Sequence, residues 1–352
     1  MQQDYNALVA NINSLLSAFG TKWITPPTPI PPTPTTGQFG FTANAFQSLN
    51  ASSQAAWLAD MKNLGMSWLR FDANWWVIEQ TKGIFNWTAL DQAVKSCVAA
   101  EFNVCLIIDG CPPWAGNGNQ WSIPNNALDY ATFCTLVAQR YAPQGVHTYE
   151  VWNEPNNTAF WPGPNVGAYV NLLKAAYPAI KAGDSTSTVL VGGLSPTGSV
   201  STWGASFVKN MYANGAKGYF DAMNTHPYTY PANPGDNTSD TWSQQYLSSN
   251  QAGTSILAQM QANGDGNKKI WMTEFGAPTS TASNGVTRAQ QASQLAEAIT
   301  KNKTYSWAGP LFLYTYMDSG TDPSNNEDNF GVVTTTGAQK PSYASVKTAI
   351  GG

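Results

Sequence analysis

Residues 88–110 read TALDQAVKSCVAAEFNVCLIIDG. The first part, 88–100, repeats apolar residues at helical spacing. The second, 103–109, is a short, almost wholly apolar run that closes on Asp109. An uninterrupted apolar run suits a strand covered on both faces, as in a parallel sheet wrapped by helices. Working outward, the same unit recurs. Strand patterns fall at 39–42, 67–74, 103–109, 146–153, 188–194, 222–228, 269–274 and 308–318. Helical patterns lie at 52–64, 88–100, 128–141, 166–180, 205–213, 255–262, 288–300 and 341–350. Eight strand–helix repeats predict a single (β/α)8 barrel of the α/β class. An open doubly wound sheet is the runner-up, and no Gly-rich phosphate loop follows any strand to support it.

The barrel occupies residues 38–352. Residues 25–37, TPPTPIPPTPTTG, form a Pro/Thr-rich linker, extended and semi-rigid. Residues 1–24 contain a short amphipathic helix in which Tyr5, Leu8, Ile12, Leu15 and Phe19 recur at spacings of three and four. This seam predicts weak homo-oligomerisation through residues 5–19.

Charged residues make up 11% of the 352 and the formal net charge is −4. That balance argues against nucleic acid or an anionic membrane as partner. No apolar stretch is long enough to cross a bilayer. Polarity comes instead from Asn, Ser, Thr and Gln, as suits an extracellular protein. That composition makes the expected location extracellular or a virion surface, although the N-terminus has no signal-peptide pattern. Cys97, Cys105, Cys111 and Cys134 contain no C-x-x-C pair and are expected to be buried free thiols, with no metal and no cofactor.

In such a barrel the active site forms at the C-terminal strand ends. Those ends carry Arg70 and Asp72, Asp109, Asn153 and Glu154, His226 and Tyr228, Glu274, then Tyr314, Tyr316 and Asp318. Two of the seven glutamates therefore sit at strand ends, and a carboxyl pair across a barrel mouth is what glycosidic cleavage needs. Glu150 points inward one layer deeper and is expected to pair with Arg70. His226 is expected either in a subsite or in a core hydrogen bond. Trp75, Trp76, Trp114 and Trp161 follow strand ends and divide between stacking on sugar rings and filling loop cores.

The segments TYEVWNEPNN (148–157) and WMTEFGAP (271–278) resemble the two signature segments of clan A glycoside hydrolases, in particular families 39 and 5. Residues 68–91, PPWAGN (112–117), HPY (226–228) and 329–346 extend the resemblance over most of 38–350. It implies a retaining glycosidase acting on a carbohydrate, with Glu154 as acid/base, Glu274 as nucleophile and Asn153 on the sugar 2-hydroxyl. The carboxyls should then lie about 5–5.5 Å apart. Burial and a nearby carboxylate should keep Glu154 protonated, while Arg70 and Tyr228 keep Glu274 ionised. Where the relatives carry a strand-8 Trp, this chain has Leu313, Tyr314 and Tyr316. The layout of stub, linker and barrel resembles that of phage virion proteins that carry glycan-degrading domains, which implies a bacterial surface polysaccharide as substrate. A catalytically silent carbohydrate-binding barrel and a metal-dependent hydrolase are the competing readings; two histidines cannot build the usual metal site of the latter.

Overall fold

The computed structural model describes residues 38–163, 165–196, 204–235 and 255–351. The expected stub and linker lie outside them. The eight strands are β1 (Phe39–Thr42), β2 (Trp68–Asn74), β3 (Asn103–Asp109), β4 (Thr148–Val151), β5 (Thr188–Val191), β6 (Met223–Thr225), β7 (Ile270–Phe275) and β8 (Ala308–Tyr314). Each is followed by a helix: α1 (Ala51–Asn63), α2 (Thr88–Ala99), α3 (Ala127–Tyr141), α4 (Val166–Gly183), α5 (Ala205–Ala213), α6 (Ile256–Ala262), α7 (Arg288–Thr304) and α8 (Pro341–Ile350). All pairings between named strands are parallel, in the order β5-β4-β3-β2-β1-β8-β7-β6. The two ends of that order meet through single bridges, Leu190 with Ala222 and Leu194 with Thr225. The fold is the (β/α)8 barrel that the strand–helix repeat predicts.

Alternation along the strands builds two cores. Outward-facing Leu69, Phe71, Leu106, Ile108, Val189 and Val191 pack beneath the helices in the larger one. Inward-facing Trp68, Cys105, Leu190, Ala222, Trp271 and Phe312 plug the barrel floor. Trp68 meets Trp271 edge-on at 5.2 Å between ring centroids. The floor is therefore dry, and the interior becomes polar one layer higher, at Arg70 and Glu150. The uncharged polar residues that dominate the composition also start the helices. Asn50, Asn126, Asn165, Ser255 and Thr287 each accept a backbone N–H as N-caps. All four cysteines are buried free thiols.

Four strands stop earlier than their apolar runs suggest: β4 at Val151, β5 at Val191, β6 at Thr225 and β8 at Tyr314. The cause at β4 is local. Trp152 adopts φ 69° and Glu154 φ 42°, left-handed conformations that end strand alternation. At β5 the chain continues into Gly192–Gly193. A Cβ on Gly193 would sit 2.1 Å from Nε2 of His226, so only glycine lets the β6 imidazole lie against this backbone.

Candidate active site

The site is organised around Arg70. Its side chain is fully buried on β2, where alternation aims it up the barrel axis. Nε and Nη2 donate to the two carboxylate oxygens of Glu150 at 2.7 and 2.9 Å, a bidentate geometry that fixes the guanidinium plane. Nη1 is then free to reach Glu274 Oε1 at 2.6 Å, and Nη2 reaches Asn153 Oδ1 at 3.2 Å. Burial would discharge this arginine, but Glu150 and Glu274 hold its pKa above the ordinary value.

Glu274 stands on β7, still within the ladder. Its second oxygen accepts from the Tyr228 hydroxyl at 2.8 Å. Burial and the adjacent Glu274 push the Tyr228 pKa well up, so the phenol keeps its proton and remains a donor. Glu154 faces it from beyond the end of β4. The left-handed turn through Trp152 removes the conflict that strict alternation sets up, and both Asn153 and Glu154 reach the cleft. Oε1 of Glu154 accepts from His226 Nδ1 at 2.8 Å, and Oε2 accepts from Asn157 Nδ2 at 2.7 Å. His226 Nε2 lies 3.1 Å from Thr273 Oγ1 and 3.3 Å from Arg70.

The protonation of Glu154 departs from the sequence expectation. Burial raises its pKa, as expected. The hydrogen bond and charge of His226, with hydrogen bonds from Asn157 and Ser195, outweigh burial and hold the carboxyl below its ordinary value. Asp72 and Asp109 behave in the opposite way. Loss of solvent raises both, Asp72 to about 7 and Asp109 well above the usual range, and Asp72 adds to the shift of Asp109.

A cleft of about 600 Å³ opens over these groups. Asp109, Asn153, Glu154, Tyr228, Glu274 and Tyr314 line it among the residues singled out from sequence. Arg70 and His226 lie directly beneath. Other sequence candidates are elsewhere. Trp75 is fully buried against Phe133 and Tyr130 and donates to Glu79. Trp161 is buried between Trp152 and Tyr169. Trp114 donates to the Glu79 carbonyl beneath Lys82, and the half-buried Trp76 is likewise not among the cleft-lining residues. Tyr316 follows the end of β8, faces outward and donates to Asp60 of α1 at 2.7 Å. Trp75, Trp114, Trp161 and Tyr316 instead pack in or against the outer hydrophobic core.

The aromatic lining comes instead from Trp121, Phe160, Tyr230 and Phe330. Trp121 and Phe160 meet edge-on at 4.9 Å, and Tyr230 and Phe330 at 5.6 Å. They sit deep in long loops, where no periodicity marks them. Asp72 and Glu327 also line the cleft. Asp72, named with Arg70 at the end of strand 2, shares its parity and faces the cleft as alternation predicts.

Ligand atoms of Glu154, His226 and Glu274 all lie within 4.8 Å of one another, the geometry of a potential metal cluster. Their donors are committed, however: Glu154 to His226 and Asn157, Glu274 to Arg70 and Tyr228. A guanidinium already on Glu274 opposes a second cation there.

Facing carboxylates at the C-terminal mouth of a (β/α)8 barrel, on β7 and just beyond β4, define a clan A glycoside hydrolase. Residues 32–309 match the model of the cellulase family, glycosyl hydrolase family 5, and the chain belongs to that family. A beta-xylosidase of Geobacillus stearothermophilus is 27% identical over 169 residues, covering 44% of this chain and 32% of that protein. A family 39 glycoside hydrolase from Bacteroides cellulosilyticus WH2 superposes with a TM-score of 0.70 at 18% identity, over 89% of this chain and 63% of that one. Xylanase 10B from Thermotoga petrophila RKU-1, in complex with xylobiose, gives 0.63 at 16% identity, over 89% and 94%. The chain thus spans about a third of the curated relative and under two thirds of the family 39 structure.

Proposed function

We propose that the protein hydrolyses O-glycosidic bonds of a polysaccharide or oligosaccharide with retention of configuration. The observation that carries this reading is the close approach of Glu154 and Glu274, with oxygens within 4.8 Å across the cleft. A water molecule activated for inversion needs a wider gap, about 6.5–9.5 Å. Glu274, oriented by Arg70 and Tyr228, attacks the anomeric carbon. The glycosidic C–O bond breaks as Glu154 delivers its proton to the leaving oxygen, leaving the sugar esterified to Glu274. Glu154, now a carboxylate, takes a proton from water, whose oxygen attacks the same carbon and releases Glu274. Each carbon–oxygen exchange inverts the centre, so two restore it.

Asn153 fits the sugar 2-hydroxyl, since Arg70 fixes its Oδ1 and leaves its amide to donate upward. Tyr314, with Trp121 and Phe160, offers aromatic faces to flanking sugars. The resemblance to a beta-xylosidase and a xylanase makes β-xylosides the first compounds to assay. The sequence layout of the first 37 residues favours assembly on a virion or at a cell exterior, with a bacterial surface glycan as target. Turnover of a 4-nitrophenyl β-glycoside panel tests the reading. Activity lost in Glu274→Gln on every substrate, and in Glu154→Gln on glycans with poor leaving groups, is expected; near-normal activity of both variants on such glycans contradicts it, and no turnover of any glycan supports a silent barrel.

A further inference from the structure

Beside the reacting pair the cleft holds a second pair of carboxyls that the double displacement does not use. Asp109 ends β3 and is 2% exposed, yet its Oδ1 has no hydrogen-bond partner and the residue lines the cleft. A buried polar oxygen left unpaired costs free energy comparable to a lost hydrogen bond, so a donor from outside the chain, on a ligand or water, would stabilise this atom. Asp72, on neighbouring β2, lines the same wall. Around them the cleft carries Glu154, Glu274 and Glu327, and no Lys, Arg or His lines it among the described residues. Residues 197–203 and 236–254 contain none in their sequence either. Arg70, the cation beneath, is already engaged by Glu150 and Glu274.

We propose that Asp72 and Asp109 form an ammonium-binding subsite, so that the cleft prefers a glycan bearing free, non-acetylated amino sugars. The inference rests on the glycosidase reading of the same site. An ammonium offers three N–H donors, enough to satisfy Asp109 Oδ1 and reach Asp72 together. Its charge also offsets the burial, and the smaller repulsion from neighbouring carboxyls, that raise the pKa of both aspartates. A uronate would instead bring a further carboxylate against five carboxyls without a free cation, and is selected against. Asp72 feels Arg70, Glu274 and Glu150 as well as solvent loss, and Asp109 feels Asp72, Arg70 and Glu150. Binding an ammonium therefore releases protons from the aspartate pair.

Calorimetry on the full chain carrying Glu154→Gln, which prevents turnover, tests this at pH 6 with tetramers of glucosamine and galactosamine, their N-acetylated forms and a galacturonate tetramer. At least one amine tetramer should bind about tenfold or more tightly than its acetylated form, the gain of one charge-paired hydrogen bond. Its heat should vary with buffer ionisation enthalpy in the sense of proton release. Adding Asp109→Asn or Asp72→Asn should collapse the preference while circular dichroism stays unchanged. No amine preference, or one that survives both substitutions, overturns the inference. Wild-type turnover of the aryl glycosides, lost in Glu274→Gln, is measured in parallel. Turnover without amine preference defeats the inference alone, whereas turnover surviving Glu274→Gln defeats the underlying reading.

Discussion

The two walls of the cleft hold the same functional group in different ways. On the β2–β7 wall, Glu274 sits inside a strand and faces a guanidinium that Glu150 locks from behind. On the β4–β6 wall, Glu154 stands past the end of its strand on a left-handed residue, facing an imidazole and an amide. The first wall is a rigid ionic scaffold, suited to a carboxylate that must stay charged. The second is a hydrogen-bonded loop junction, suited to a group that must gain and lose a proton. The difference indicates which wall tolerates change, and substitutions on each should separate them.

The largest effect is expected at Glu274. Glu274→Gln should lower kcat by about 10⁴-fold or more, because no other group can form the ester, and azide should restore turnover to Glu274→Gly as a glycosyl azide of inverted configuration. Glu154→Gln should lower it by about 10²–10⁴-fold for a poor leaving group and far less for 4-nitrophenolate, which needs no proton. Equal losses with both leaving groups would place the proton donor elsewhere. Arg70→Met should be chiefly a stability variant. It strands Glu150 as an unpaired buried charge, with an expected cost of about 3–5 kcal/mol in urea unfolding. A cost under about 1 kcal/mol, typical of an exposed pair, would show the scaffold to be no ionic lock.

A subtler effect is expected on the other wall. Glu154 must carry a proton to act as acid, and its pKa is held down by His226 against the pull of burial. The basic limb of kcat/KM should therefore fall on the acidic side of neutrality. Removing the donor in His226→Ala leaves burial dominant, raises the Glu154 pKa and moves that limb to higher pH. A limb that stays put, or moves down, contradicts the assignment. The smallest effect expected is none: a chelator should leave activity unchanged, since the carboxylate oxygens of Glu154 and Glu274 already accept hydrogen bonds within the protein.

The same contrast between walls explains what could be read from sequence. Arg70, Glu150 and Glu274 obey strand alternation, and period two along β2, β4 and β7 places them without a structure. Asn153 and Glu154 were legible as strand-end residues, but their roles needed the resemblance and their joint approach depends on the left-handed Trp152, which no pattern of apolar residues encodes. Trp75, Trp114 and Trp161 follow strand ends as a sugar platform should, yet their rings fill loop cores, while Trp121 and Phe160 reach the cleft from within long loops. Tyr316 was misplaced by extending alternation beyond Tyr314, where the β8 ladder stops. Asp72 was legible by parity with Arg70, but its raised pKa arises from burial, with Glu274 and Glu150 on other strands adding to it. Position along a strand is a local property. Charge state and loop packing come from contacts distant in sequence.

The central claim is that Glu274 forms a covalent glycosyl ester and Glu154 serves both halves of the reaction. A proton NMR time course on a substrate of known anomeric configuration tests it most directly. The account predicts that the first product signal has the anomeric configuration of the substrate, with the opposite anomer growing in only by mutarotation. Initial release of the opposite anomer would contradict it.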